Sequence, residues 1–448
     1  MKHFILALLV VSIDAQVSGN LKLSGTIKVS KDAAAIPTIS VLSYGAVGDG
    51  TTDNYVALQA AAAAICALPG YRLLFPPGDY FINRKRIDAT GPGSGPANGI
   101  TNIRYDNCDN VTISGYGATV SVLGAFNRPV DETDGVNSLS YTNAVAPFEF
   151  RYSTGFRLEG FTLNGNVQDM TRSATVTEGN TAGVMTQDCH DYYIVDVESH
   201  HNETDGFTIG GNSLVVDTNM TMTRVYAHHN SRQGLSVIHL VTGLVSDSRF
   251  EDTGYSSGSY GYSPPGAGVD VEPFRKPPEE NALSTGLVFD GVTCRNNRGQ
   301  QFINSWPEFQ DTVVFQNGSI SAPDRSDNEA ALFINASKNA TTTGTLFTVR
   351  SGNAVSLSTI MVMESFITSI TFSGNTFALS ARTGIYPPER TSPVAFTANT
   401  VSSVSSSGSV VFARMNSVTN NIFIDPIGSG NVTFTSISGA TTGNLYNQ

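Results

Sequence analysis

The chain has 448 residues, 14% of them charged, with 43 glycines, a net charge of −12 and a pI near 5.0. A long-helix or coiled-coil protein needs far more Glu, Lys and Arg, and a charge-driven disordered chain needs more charge altogether, so both are excluded and a β-rich, turn-rich fold remains. The acidic balance leaves no global basic field, which excludes nucleic acid as the partner and confines any contact with an anionic polymer to a local patch.

Residues 1–15 read as a secretory signal peptide: Lys2 and His3, an apolar run from Phe4 to Val11, then the small residue Ala15. The run is shorter than the ~20 residues that cross a bilayer, and no later window replaces it, so no membrane span is expected. Asn-x-Ser/Thr sequons at Asn110, Asn202, Asn219, Asn317, Asn335, Asn339 and Asn431 agree with a secreted, glycosylated protein. Cys66, Cys108, Cys189 and Cys294 lack metal-ligand spacing, so buried thiols are expected, with a disulfide as the alternative.

The first ordered elements follow the stretch Tyr44-Gly-Ala-Val-Gly-Asp-Gly-Thr-Thr-Asp-Asn54. The Ala-rich run over 54–68 predicts a helix, with Thr52 or Asp53 as its cap and Pro69-Gly70 as its stop. Tyr71 to Ile82 then reads as a strand and turn. From about residue 100 one phrase recurs: an apolar-alternating strand, a turn, a second strand and an Asn-containing corner. Examples are Tyr193 to Asn202, Met222 to Asn230 and Gly286 to Asn297. Corners spaced by roughly 25 residues match one coil of a parallel β-solenoid, whereas a hairpin sandwich turns every ~8–12 residues. Inward columns of valine and leucine would be covered only by the neighbouring coils, and the corner asparagines would take the bend and bond to the next coil.

The entry stretch, the helix after it and Phe75-Pro-Pro-Gly-Asp-Tyr80 resemble the pectate-lyase and rhamnogalacturonase/epimerase-like superfamily of right-handed parallel β-helices. The resemblance implies an all-β solenoid with an N-terminal capping α-helix, secreted and acting on a polysaccharide. It does not choose a reaction. The paired-Asp motifs of polygalacturonases, the Asp-Pro-His-Glu of mannuronan epimerases and the arginine motif of pectate lyases do not occur in this chain, so no catalytic residue carries over. The expected organisation is a signal peptide over 1–15, a capped β-helix over 16–350, and 351–448 as further coils or a small C-terminal β-region. Only six charged residues fall after Ser351, which is why that stretch differs in texture.

Chemistry is expected at Gly266-Ala-Gly-Val-Asp-Val-Glu-Pro273. With Val269 and Val271 in the core, Asp270 and Glu272 project outward, roughly 6.5–7 Å apart along the strand. That separation suits an acid and base pair, and the same carboxylates are the candidate ligands for calcium. Aligning the coils on Gly206, Gly234, Gly268 and Gly299 brings Asp205, Arg232 and Arg298 beside them as further catalytic candidates. His201, His229, Lys276, Trp306 and Tyr260 are the substrate-binding candidates. Tyr260 belongs to a Gly/Ser/Tyr insertion that runs into the Asp-x-Glu strand, where its ring could stack on a sugar. The basic residues favour an anionic sugar, so the reading leans to β-elimination from a uronic-acid polymer. Its alternatives are a glycoside hydrolase using Asp270 and Glu272, and a non-catalytic carbohydrate-binding or adhesive β-helix.

Overall fold

The computed structural model describes residues 36–82, 102–122, 146–169, 182–211, 215–255, 261–273, 284–304, 310–321, 333–334, 337–349, 358–361, 369–379, 383–386, 394–403, 409–413, 417–424, 431–435 and 441–447. The expected signal peptide over 1–15, and Tyr260, Lys276 and Trp306, lie outside the described residues. The chain from Thr38 onward forms one compact unit, and of the stretch before it only Ile36 and Pro37 are described.

The strands form two sheets, one of 24 strands and one of 12, and the coil-to-coil pairings among the described residues are parallel. A typical coil gives two consecutive strands to the larger sheet and one to the smaller. Leu240–Ser246 and Arg249–Glu251 belong to the larger sheet and are followed by Val269–Val271 in the smaller. The winding is the right-handed one that parallel crossovers impose.

Alternation explains why these short strands form. Phe207, Leu235, Val269 and Phe302 stand in register on successive coils, all facing inward and fully buried. Burying a side chain of this size stabilises by roughly 1.5–3 kcal/mol. The burial exists only because the next coil covers it, so the coils are stable as a stack and not singly. Phe302 on Phe333 at 5.1 Å continues this column, and Phe347 on Phe377 at 4.7 Å forms a like stack on the larger sheet.

The corners divide between two residues what the sequence suggests for asparagine alone. The left-handed bend is taken by the residue before it: His201 and His229 at φ 53°, Asp252 at 52° and Asn296 at 55°. The residue after it makes the ladder. Asn202 donates its N–H and Nδ2–H to Asn230 Oδ1 at 3.0 and 2.8 Å, and the N–H of Thr253 donates to Asn297 Oδ1 at 3.1 Å. Asn202, Asn230 and Asn297 therefore share a corner, with Thr253 as the intervening rung. A second ladder links Asn375, Asn399, Asn421 and Asn444 in the same way, and the described strands after residue 351 pair into the same two sheets. Those strands are further coils.

The helix spans Tyr55–Cys66 and puts Leu58, Ala61, Ala62 and Ile65 into the solenoid core. Its first capping position is Asn54, which makes no side-chain cap bond. Thr52 is turned to Asp49, and Asp53 Oδ1 takes the Tyr55 N–H at 3.1 Å. Arg104–Asp106 is the terminal strand of the smaller sheet, and the helix packs on it. There Gln59 Oε1 accepts the N–H of Arg104 at 3.3 Å, so the helix covers an edge that would otherwise recruit another chain. A disulfide from Cys66 to Cys108 fixes the helix end to the strand's coil, while Cys189 and Cys294 are buried free thiols. The entry motif needs its glycines: a Cβ on Gly78 would fall 2.8 Å from the Gly48 carbonyl oxygen.

Candidate functional site

Val269–Val271 turns both valines inward, which sends Asp270 to the outer face of the smaller sheet beside Ser236 of the preceding coil. The orientation agrees with the sequence; the exposure does not. Asp270 keeps only 4% of its surface because polar neighbours close over it. Gln233 Nε2 lies 2.5 Å from Asp270 Oδ2. Glu272 is more open, its side chain 27% exposed, and Oε1 accepts from Arg232 Nη2 at 2.6 Å and from Ser236 Oγ at 2.7 Å. Arg232 also reaches buried Asp205, Nη1 to Oδ2 at 3.7 Å, and Thr208 Oγ1 donates to the same oxygen at 3.1 Å. Three successive coils thus bring Asp205, Arg232, Asp270 and Glu272 together.

Burial first, and then the charge of Glu272, push the Asp270 carboxyl well above the usual carboxylate range, with Arg232 opposing. A carboxyl raised by burial beside a salt-bridged carboxylate is an environment that separates an acid from a base. A guanidinium occupies the Glu272 oxygen and burial raises the Asp270 carboxyl, so a calcium ion here would have to displace Arg232 and draw the proton from Asp270. Among the described residues no group of three or more His, Cys, Asp or Glu side chains is placed to hold a metal ion.

Arg298 stands apart from the acids, its guanidinium 3.2 Å from the centroid of the Tyr262 ring at the base of the insertion. The reason is register. Gly206, Gly234 and Gly268 align, but Gln301 takes the fourth place and Gly299 pairs with Gly266. A Cβ on Gly254 would lie 2.4 Å from the Gly266 Cα, so the insertion closes at a glycine neck beside this coil.

His201 and His229 stack ring on ring at 5.1 Å, and His200 and His228 do the same at 4.9 Å. Each neighbouring pair shares an Nδ1 contact of 2.7 Å, and Glu198 Oε1 meets His228 Nε2 at 3.0 Å. Burial and the adjacent imidazoles push His200 and His201 down to about 4, which favours neutral rings at neutral pH. Their stacking follows from the coil repeat. Ser236 and Thr208 are site residues that the sequence pattern did not single out; aligning Leu235 on Val269 points to Ser236 as the neighbour of Asp270.

No protein-family model matches the chain. It is similar to mannuronan C5-epimerases of Azotobacter vinelandii. The identity is 27% over 220 residues with AlgE6, covering 44% of this chain and 23% of that one, and 24% over 224 residues with AlgE1, covering 50% and 14%. The match thus spans less than a quarter of those relatives' length. Among solved structures the chain is similar to bacteriophage phi29 gene product 12, at TM-score 0.54 and 14% identity over 91% of this chain and 56% of that one. The Agl-KA catalytic domain matches at TM-score 0.50 and 12% identity, over 94% and 70%. Parallel coils and these structural matches agree that the chain is a right-handed parallel β-helix, and its entry motif resembles that of the pectate-lyase-like superfamily.

Proposed function

We propose that this protein is a secreted, polysaccharide-active enzyme that cleaves glycosidic bonds by hydrolysis, with Asp270 as the proton donor and Glu272 as the base that activates water. The observation that carries the reading is the nearly enclosed Asp270, its carboxyl raised by burial, beside Glu272 salt-bridged to Arg232. Asp270 gives its proton to the leaving glycosidic oxygen, Glu272 takes one from the attacking water, and their spacing on the strand leaves room for that water. Arg232 positions Glu272 and Asp205, and Gln233 positions Asp270. With its charge engaged by two carboxylates, Arg232 is poorly suited to clamping a uronate, which weakens the β-elimination reading.

A second reading has one specific support, the similarity to mannuronan C5-epimerases over about half the chain. Removal of the C5 proton of a uronic acid begins both epimerisation and β-elimination, and the same acid and base serve it. One experiment separates these outcomes. The protein is incubated with neutral and uronic-acid polysaccharides while reducing ends, the ultraviolet absorbance of an unsaturated sugar and the C5 configuration by NMR are followed together. Reducing ends alone support hydrolysis; the absorbance identifies elimination; inversion without cleavage identifies epimerisation. If none changes, the enzymatic reading fails and the carbohydrate-binding β-helix takes its place.

A further inference from the structure

The coil register sorts the glycosylation sequons. Asn110, Asn219 and Asn339 fall in one column of the larger sheet, in register through Gly155, Asp191, Thr242, Gly286 and Thr312. All three are exposed, and so is Asn317 at a corner of the same sheet. In each of these sequons the hydroxyl residue two places on, Thr112, Thr221, Ser319 or Thr341, is partly open. At Asn110, Asn219 and Asn317 the asparagine takes a left-handed bend, φ 52°, 56° and 53°, which leaves its own side chain and the hydroxyl residue two places on outside the core. The Asn202 sequon is the opposite case. Asn202, Glu203 and Thr204 are all buried, and the Asn202 amide is a rung of the corner ladder.

We propose that Asn110, Asn219, Asn317 and Asn339 carry N-linked glycans in the secreted protein and that Asn202 does not. In the transfer, Nδ2 loses a proton and bonds to the anomeric carbon of an oligosaccharide carried on a lipid diphosphate; the anomeric C–O bond breaks and the lipid diphosphate leaves. One N–H remains on the amide. Asn219, Asn317 and Asn339 can therefore keep their bonds to Asp191, Asp290 and Asp311, which now measure 2.8, 2.8 and 2.6 Å. A glycan on Asn202 would have to pass through a sealed corner, so a chain modified there cannot close its ladder. The column lies on the larger sheet and the Asp270 cluster on the smaller, which leaves the candidate site clear of sugar.

The inference depends on entry into a secretory pathway and not on the catalytic reading. For the test the full chain is secreted from a eukaryotic host behind a supplied leader, treated with an amidase that converts each occupied Asn to Asp, and mapped by peptide mass spectrometry. Conversion is expected at the four exposed positions and not at Asn202, and N219Q should remove the mass of one whole glycan. Occupied Asn202 in folded, secreted protein would overturn the inference. So would unmodified Asn219 and Asn339 when another glycoprotein secreted by the same cells is fully modified.

Discussion

Replacing Asn399 with Ala tests whether the corner ladders hold the C-terminal coils. The side chain is fully buried; Oδ1 accepts the N–H of Asn375 at 2.9 Å and its Nδ2–H at 3.0 Å, and Nδ2 donates to Phe372 O and Asn421 Oδ1, each at 3.1 Å. After truncation Asn375 Nδ2 still has Thr342 O and Asn421 Oδ1 still has the N–H of Asn399, but the buried N–H of Asn375 has no acceptor. An orphaned buried donor costs ~1–3 kcal/mol and each of the three other lost bonds ~0.5–1.5, so N399A should destabilise by roughly 2.5–7.5 kcal/mol. Each coil contacts only its neighbours, so the damage is local. Native-state hydrogen exchange at the Asn375 amide should lose protection first, and urea unfolding should show the full deficit. The exposed Asn339, bonded to Asp311 at the surface, is the control; N339A should cost under ~0.5 kcal/mol. If N399A matches N339A and the Asn375 amide stays protected, the ladder does not hold the coils.

The remaining expectations concern the site, the histidines and the cysteines. D270N should lower polysaccharide cleavage by ~10²–10⁴-fold, the usual contribution of a general acid. It should also stabilise the protein at neutral pH. Because the folded carboxyl titrates above the unfolded one, the stability it confers is present below the unfolded value of ~3.9 and is lost as pH rises toward the folded one. Melting temperatures of parent and D270N should therefore coincide in acid and separate as pH rises, and curves that stay parallel would refute the protonated Asp270. The histidine stacks have the opposite sign. His200 and His201 are pushed down to about 4, so their stabilising effect is present above the unfolded value of ~6.5 and lost as pH falls to the folded one. H201N should flatten that acid limb, as followed by melting temperature, with the imidazole titrations read by NMR. Breaking the Cys66–Cys108 link with C108A should cost ~2–4 kcal/mol and free the helix lid. In the native protein Cys189 and Cys294 should resist alkylation, because burial raises both thiols far above their ordinary range.

The coil, its inward valines and phenylalanines, the helix lid and the outward turn of Asp270 were all legible in the chain, because alternation along one strand is a local property. The entry motif was legible for the same reason: Gly48, Gly78 and the Phe75 turn are fixed by contacts within the first coils. Register was not. It depends on how many residues each loop consumes, so Gln301 replaced Gly299 in the column and carried Arg298 away from the acids to Tyr262. Burial was not legible either, since Asp270 is enclosed by Gln233 and by neighbours up to 65 positions away in the chain, and no pattern within its own strand reports that. Local chemistry proposed which residues could act; only the stacking of one coil on another decided which acid is buried and its carboxyl raised, which arginine is already paired, and which sequon asparagines face the solvent.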